Sequence, residues 1–230
     1  MSSFSEEFFN NRWDQSNIPM RMRGFGLDSY VPVNASNSDS PHNQTLKSVA
    51  IAKEFVNNFV DKHYLSSVRA KAGKYPEDRS KLGKGLLLCG PNGTRKSTLA
   101  AAVATDVQYL SPSLRVYYIR FKDWKDCLTT TFSKEVTKET ILAGNRLTIA
   151  RTVPLLVLDD VGQEHRTQSG FTEKELHELL RIRYESSKPT VITTNITPGS
   201  FENVYGTSFE SFAHDAFYTL KMYGQDSRKG

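Results

Sequence analysis

At 230 residues and 26.0 kDa the chain has room for one sizeable α/β core with a short appendage, but not for two independent domains. Thirty Lys and Arg against 25 Asp and Glu give a formal charge of +5 and a pI near 9.1, compatible with a nucleic-acid partner without requiring one. Cys89 and Cys127 have neither metal-ligand spacing nor the density of a disulfide framework, no apolar run approaches the roughly 18 residues of a membrane span, and the start MSSFSEEFFNN is unlike a signal peptide, so a reducing cytoplasm is the expected setting.

Residues 1–33 mix aromatic and polar side chains. The polar, turn-rich run 34–45 reads as a linker, so 1–45 is expected to be an N-terminal extension and 46–230 the core. Leu46, Val49, Ala50, Phe55, Val56, Phe59 and Val60 recur at helical spacing and predict a helix from Leu46 to Tyr64 packed on the core. A basic stretch, Arg69 to Lys84, reads as a solvated face. It leads into apolar Leu86–Cys89, then the run GPNGTRKST from Gly90 to Thr98, then alanine-rich Leu99–Ala104: strand, phosphate loop, helix.

A helix to about Leu110 is followed by a second strand, Arg115–Arg120, and by helical stretches over Lys122–Phe132 and Lys134–Arg151. The third strand, Val153–Leu158, runs into Asp159 and Asp160. Thr172 and Glu175 have capping-box spacing, which predicts a helix to about Ser187, stopped by Lys188-Pro189. Thr190–Thr194 is a fourth strand ending at Asn195, and Thr219–Tyr223 a fifth. Strands separated by helices predict an α/β fold with a parallel sheet covered on both faces, its ligands at the carboxyl ends of the strands.

The pattern GxxxxGK[ST] cradles phosphates in backbone N–H groups and a helix N-terminus, which assigns Gly90, Pro91, Asn92, Gly93, Thr94, Arg95, Lys96, Ser97 and Thr98 to a nucleotide. Lys96 would reach the β/γ-phosphates and the Ser97 hydroxyl would ligate Mg²⁺. One position departs: Arg95 stands where the second glycine belongs. Asp159, after an apolar strand, has the Walker B pattern and would hold Mg²⁺ directly or through water. Asp160 would then orient or deprotonate an attacking water, and Asn195 would bond the γ-phosphate or that water. Taken singly, an acid or amide after a strand is as readily a turn residue.

From VPLLVLDDVGQE through FTEKELHELLRIRYESSKPTVITTN the chain resembles the Walker B to sensor 1 region of the DnaC-type helicase loaders and IstB-type transposition ATPases, members of the initiator branch of the AAA+ proteins. Ile18-Pro19 with Tyr30, Arg183-Tyr184 and the ending Gly224 to Arg228 extend the resemblance to roughly residues 18–228. It implies a P-loop AAA+ fold with a five-stranded parallel sheet ordered 5-1-4-3-2 and no separate lid domain. It implies ATP or ADP with Mg as cofactors and homo-oligomers with nucleotide at their interfaces. It also implies single- or double-stranded DNA held between strands 2 and 3, where Lys122, Lys125, Lys134, Lys138 and Arg146 are the candidates; a solvated helix face is the alternative for them.

Two departures bear on turnover. If the site requires φ > 0, Arg95 costs about 1–2 kcal/mol, and loss of close backbone approach would weaken ATP further, although a guanidinium can itself contact phosphate. The family's arginine finger falls on Phe212 and a second family arginine on Ser208; Arg181 and Arg183 could substitute, or face the core or solvent instead. Before Ile18 there is too little chain for the helicase-binding domain of cellular loaders. The expectation is an ATP-binding replication protein that assembles on single-stranded DNA and contacts a replicative helicase, with weak or absent hydrolysis. The rivals are a nucleotide-independent adaptor, an IstB-like transposition ATPase and, less favoured, a P-loop kinase.

Overall fold

A computed structural model describes residues 6–32, 41–71, 83–162, 170–197 and 200–224. In chain order they form α1 (Glu6–Ser16), α2 (Pro41–Lys71), β1 (Gly85–Cys89), α3 (Lys96–Leu110), β2 (Val116–Arg120), α4 (Phe121–Thr130), α5 (Lys138–Thr152), β3 (Leu155–Val161), α6 (Phe171–Glu185), β4 (Thr190–Thr194), α7 (Phe201–Tyr205), α8 (Thr207–Ala216) and β5 (Phe217–Lys221). The strands pair in parallel in the order β2-β3-β4-β1-β5, the expected order read from the opposite edge.

Every residue of β1 and β4 is buried, the unbroken burial of strands covered on both faces. On one face Leu86, Leu88, Tyr118, Leu155 and Val191 pack against the alanine-rich side of α3 and against Val49, Phe55 and Phe59 of α2. On the other, Leu87, Ile119, Leu156, Leu158 and Ile192 meet Trp124 of α4, Ala150 of α5, Leu176 and Leu180 of α6 and Phe209 of α8. The segment after α1 joins the first cluster through Ile18, Met22 and Leu27. It is held by Asn17 Nδ2 donating to the Tyr118 carbonyl (2.8 Å) and by the Leu27 N–H donating to Asp106 Oδ2 (3.0 Å). Among the described residues nothing forms a separate lid.

Several boundaries differ from the sequence pattern. α2 begins at Pro41, so the end of the run expected as a linker is helical; residues 33–40, most of the basic stretch before β1, and the terminal motif beyond Gly224 lie outside the described residues. Thr172 does not cap α6. Gly170, in the left-handed region, precedes the helix, and Thr172 is buried in its first turn. The reciprocal box belongs to α5, where Thr137 and Thr140 each accept the other's backbone N–H at 3.2 and 2.9 Å. β3 extends to Val161 and so contains both acids, and β5 starts at Phe217.

Candidate nucleotide site

Parallel strands bring their carboxyl ends to one edge of the sheet, where the loop after β1 meets the ends of β3 and β4. The cleft there has a volume of about 520 Å³. The phosphate loop and the start of α3 contribute Asn92, Gly93, Arg95, Lys96, Ser97 and Thr98 to its wall, the sheet edge Asp160 and Asn195, and the N-terminal segment Arg21, Met22, Phe25, Tyr30 and Val31. Four residues expected in chemical roles, Lys96, Ser97, Asp160 and Asn195, therefore meet in one place. Asp159 is not part of the wall.

The loop's course is set by backbone. At Gly90 a Cβ would overlap the Met222 carbonyl just after β5, and Gly93 takes φ 77. Thr94 Oγ1 closes the turn by donating to the Pro91 carbonyl at 2.9 Å. Lys96 is 5% exposed, and its ammonium donates to the carbonyls of Gly90 (2.9 Å) and Pro91 (2.7 Å). Arg95 takes φ 60 and ψ 30, so the position does require the left-handed region and the Arg side chain carries a cost of about 1–2 kcal/mol there. The loop keeps its path, and the guanidinium turns out of it. Arg95 Nη1 donates to the Val31 carbonyl at 3.2 Å, and the Tyr30 hydroxyl to the Thr94 carbonyl at 3.4 Å, joining the N-terminal segment to the phosphate loop at two points. Burial pushes the Tyr30 phenol up to about 12, with the charge of Arg95 pulling the other way.

The two acids sit on a bulge. Pairing with β4 shifts register between Leu158 and Val161, and Asp160 takes φ 62. Of the four described non-glycine residues with positive φ, Arg95 and Asp160 both belong to this cleft, where stored strain has a use. The bulge sends successive carboxylates in different directions. Asp159, 4% exposed, turns inward: Oδ2 accepts from the Tyr118 hydroxyl and Oδ1 from Thr193 Oγ1, each at 2.6 Å. Burial, then the charge and hydrogen bond of Asp159, drive the Tyr118 phenol far upward, so it remains the donor. Thr193 Oγ1 also accepts the Asp160 N–H at 2.9 Å. Asp160, half-buried, faces the cleft. Asn195 Oδ1 is buried without a hydrogen-bond partner, an acceptor that a donor in the cleft would satisfy.

The arginines expected as alternatives to a family finger make other contacts. Arg183 is fully buried and donates five hydrogen bonds: to Thr190 Oγ1, to the carbonyls of Ala150, Arg151 and Val153 at the end of α5, and to that of Pro189. Burial lowers its pKa to about 9. The Arg181 guanidinium lies 5.5 Å from the centre of the Phe212 ring. That ring packs among His177, Tyr184, Phe209 and Phe217.

The basic residues between β2 and β3 stand apart from the cleft wall. Lys122 pairs with Asp126 at 2.9 Å, Lys125 is half-buried on α4, and Lys134, Lys138 and Arg146 are exposed on α5 and the loop before it. Tyr118, Thr193 and the wall of Phe25, Tyr30 and Val31 were not assigned to the site from the sequence. The signals were the threonine pair just before Asn195 and the resemblance around Tyr30.

Residues 78–213 match the model of the family described as IstB-like ATP binding protein. No curated protein matches the chain. Among solved structures it is similar to the crystal structure of the DnaC helicase loader, at TM-score 0.64 and 21% identity, covering 89% of this chain and 100% of that one. It is similar to the crystal structure of DnaI at TM-score 0.58 and 19% identity, covering 91% and 100%. The replication initiator DnaA bound to AMPPCP and single-stranded DNA matches at TM-score 0.60 and 13% identity, covering 90% of this chain and 51% of that one. Matched to the family model over more than half its length, the chain belongs to the IstB-like ATP-binding proteins, on the AAA+ fold that it shares with the helicase loaders.

Proposed function

We propose that the cleft binds ATP or ADP and that the chain acts in DNA replication as a helicase-loader-like protein, assembling on single-stranded DNA and contacting a replicative helicase. The observation that carries the reading is the mixed lining of the cleft. Loop, Lys96 and Arg95 suit a polyphosphate, while Met22, Phe25, Tyr30 and Val31 suit a base and sugar. Amides of the loop from Asn92 onward and the N-terminus of α3 hold the phosphates, and Lys96 exchanges loop carbonyls for phosphate oxygens. Asp160 accepts a proton from, or orients, a water, and Asn195 positions it.

Binding, more than turnover, is the working step in this reading. Arg95 occupies a glycine position, and Phe212, where the finger would be, is engaged in ring packing. The DnaA structure that this chain resembles is bound to AMPPCP and single-stranded DNA. That likeness supports a nucleotide here, contact of α4, α5 and their connecting loop with DNA through Lys122, Lys125, Lys134, Lys138 and Arg146, and assembly into homo-oligomers. No helix among the described residues is long and apolar enough to cross a membrane. The strain at Arg95 favours one rival, a nucleotide-independent adaptor, and the family name keeps a second, a transposition ATPase, in view. Thermal unfolding with and without ATP separates the first: binding to the native state raises the midpoint, and no shift with ATP or ADP would favour the adaptor. Loading of a replicative helicase onto single strands, set against stimulation of a transposase, separates the second.

A further inference from the structure

The acid expected to hold a divalent cation does not face the cleft. Asp159, the acid the strand-end pattern assigns to it, is 4% exposed, lies outside the cleft wall, and accepts one short hydroxyl hydrogen bond on each oxygen. A carboxylate has about four acceptor positions, but the two used here fix its orientation into the fold. To turn toward the cleft it would have to leave the Tyr118 hydroxyl, and Tyr118 is itself 2% exposed, so a buried phenol would lose its acceptor. Of the two expected metal ligands only Ser97 is on the wall; Asp160, the other acid there, has its N–H tied to Thr193 Oγ1 and is the group assigned to the attacking water.

Positive charge is present in another form. Arg95, Lys96 and Arg21 all line the cleft. A guanidinium offers five donors in a planar fork that matches phosphate oxygens. Arg95 now donates one hydrogen bond, 3.2 Å long, to the neutral Val31 carbonyl, a weaker acceptor than a phosphate. The side chain that breaks the glycine pattern is thus an exposed cation lining a phosphate-loop cleft whose expected metal-binding acid is engaged elsewhere.

We propose that this cleft binds a nucleoside polyphosphate without a divalent cation, Arg95 and Lys96 supplying the counter-charge. The inference rests on the reading of the cleft as a nucleotide site, and it accounts for binding without efficient turnover.

The test is equilibrium titration of the whole chain with a fluorescent ATP analogue in excess magnesium chloride and in excess EDTA. Wild-type affinity is expected to agree within about threefold between the two buffers, and Arg95→Gly to lose about tenfold or more in EDTA, one charge-assisted contact. Arg95→Lys keeps the charge and should keep most of the EDTA affinity, and circular dichroism checks that each variant is folded. Tyr118→Phe frees Asp159 Oδ2 while keeping the ring, so magnesium should then improve affinity by about tenfold. A wild-type loss of about tenfold or more in EDTA would overturn metal independence and leave nucleotide binding standing. Unchanged EDTA affinity in Arg95→Gly would overturn the role of the guanidinium. Binding in neither buffer would overturn the nucleotide reading, and this inference with it.

Discussion

Replacing Arg183 with Met tests whether a family arginine serves the fold or the reaction. The substitution keeps a long side chain while removing five hydrogen bonds and a charge. Burial lowers the Arg183 pKa to about 9, so holding the guanidinium charged inside the fold costs on the order of 5 kcal/mol, which the variant recovers. Against this stand donors to carbonyls at about 1.5–3 kcal/mol each for charge-assisted bonds, together with the penalty for leaving the buried Ala150 and Val153 carbonyls at the end of α5 without that donor. The lost bonds and the carbonyls left without a donor outweigh the recovered cost, and the net loss should be about 3 kcal/mol or more. Urea unfolding followed by circular dichroism reads it as a lower midpoint at constant slope. Loss of less than about 1 kcal/mol would refute the structural assignment.

Phe212→Arg places an arginine where the resemblance puts the family finger but takes a ring away from His177, Tyr184, Phe209 and Phe217, so we expect about 2–3 kcal/mol lost in urea unfolding and no gain in ATP turnover. Burial, and then the charge of Arg181, hold the His177 pKa below its ordinary 6.5. The unfolded chain therefore binds this proton more readily, and stability should fall as pH drops below 6.5. His177→Phe should flatten that slope, and an unchanged profile would exclude His177 as its source. Reversing Lys134, Lys138 and Arg146 to Glu should weaken single-stranded DNA binding and reduce the log–log salt slope by about 2, at roughly 0.7 for each phosphate no longer neutralised. An unchanged slope would remove α5 and its preceding loop from the DNA surface.

What was legible in the sequence is what local spacing encodes. The loop, Lys96 and Ser97 follow from one strand–turn–helix unit, and Asp160 and Asn195 from the ends of two apolar strands that a parallel sheet must bring to the same edge. The clamp on Asp159 was not legible, because Tyr118 lies 41 residues away and nothing before folding distinguishes it from Tyr117 beside it. Register decides: Tyr118 pairs with Val157 and its ring reaches the acid farther along β3, while Tyr117 faces the opposite layer. The wall at Tyr30 and Val31, 64 residues before the loop positions it touches, was hidden for the same reason. At Thr172 the capping pattern was present, but a left-handed glycine began the helix earlier and the threonine fell inside it.

The central claim is that the strained loop of this IstB-like protein still binds nucleotide. Isothermal titration of the whole chain with ATP, beside Lys96→Ala, tests it most directly. Saturable binding by the wild type is expected, weakened about tenfold or more when the ammonium held over Gly90 and Pro91 is removed. Wild-type binding that Lys96→Ala leaves intact, or no binding at all, would contradict it.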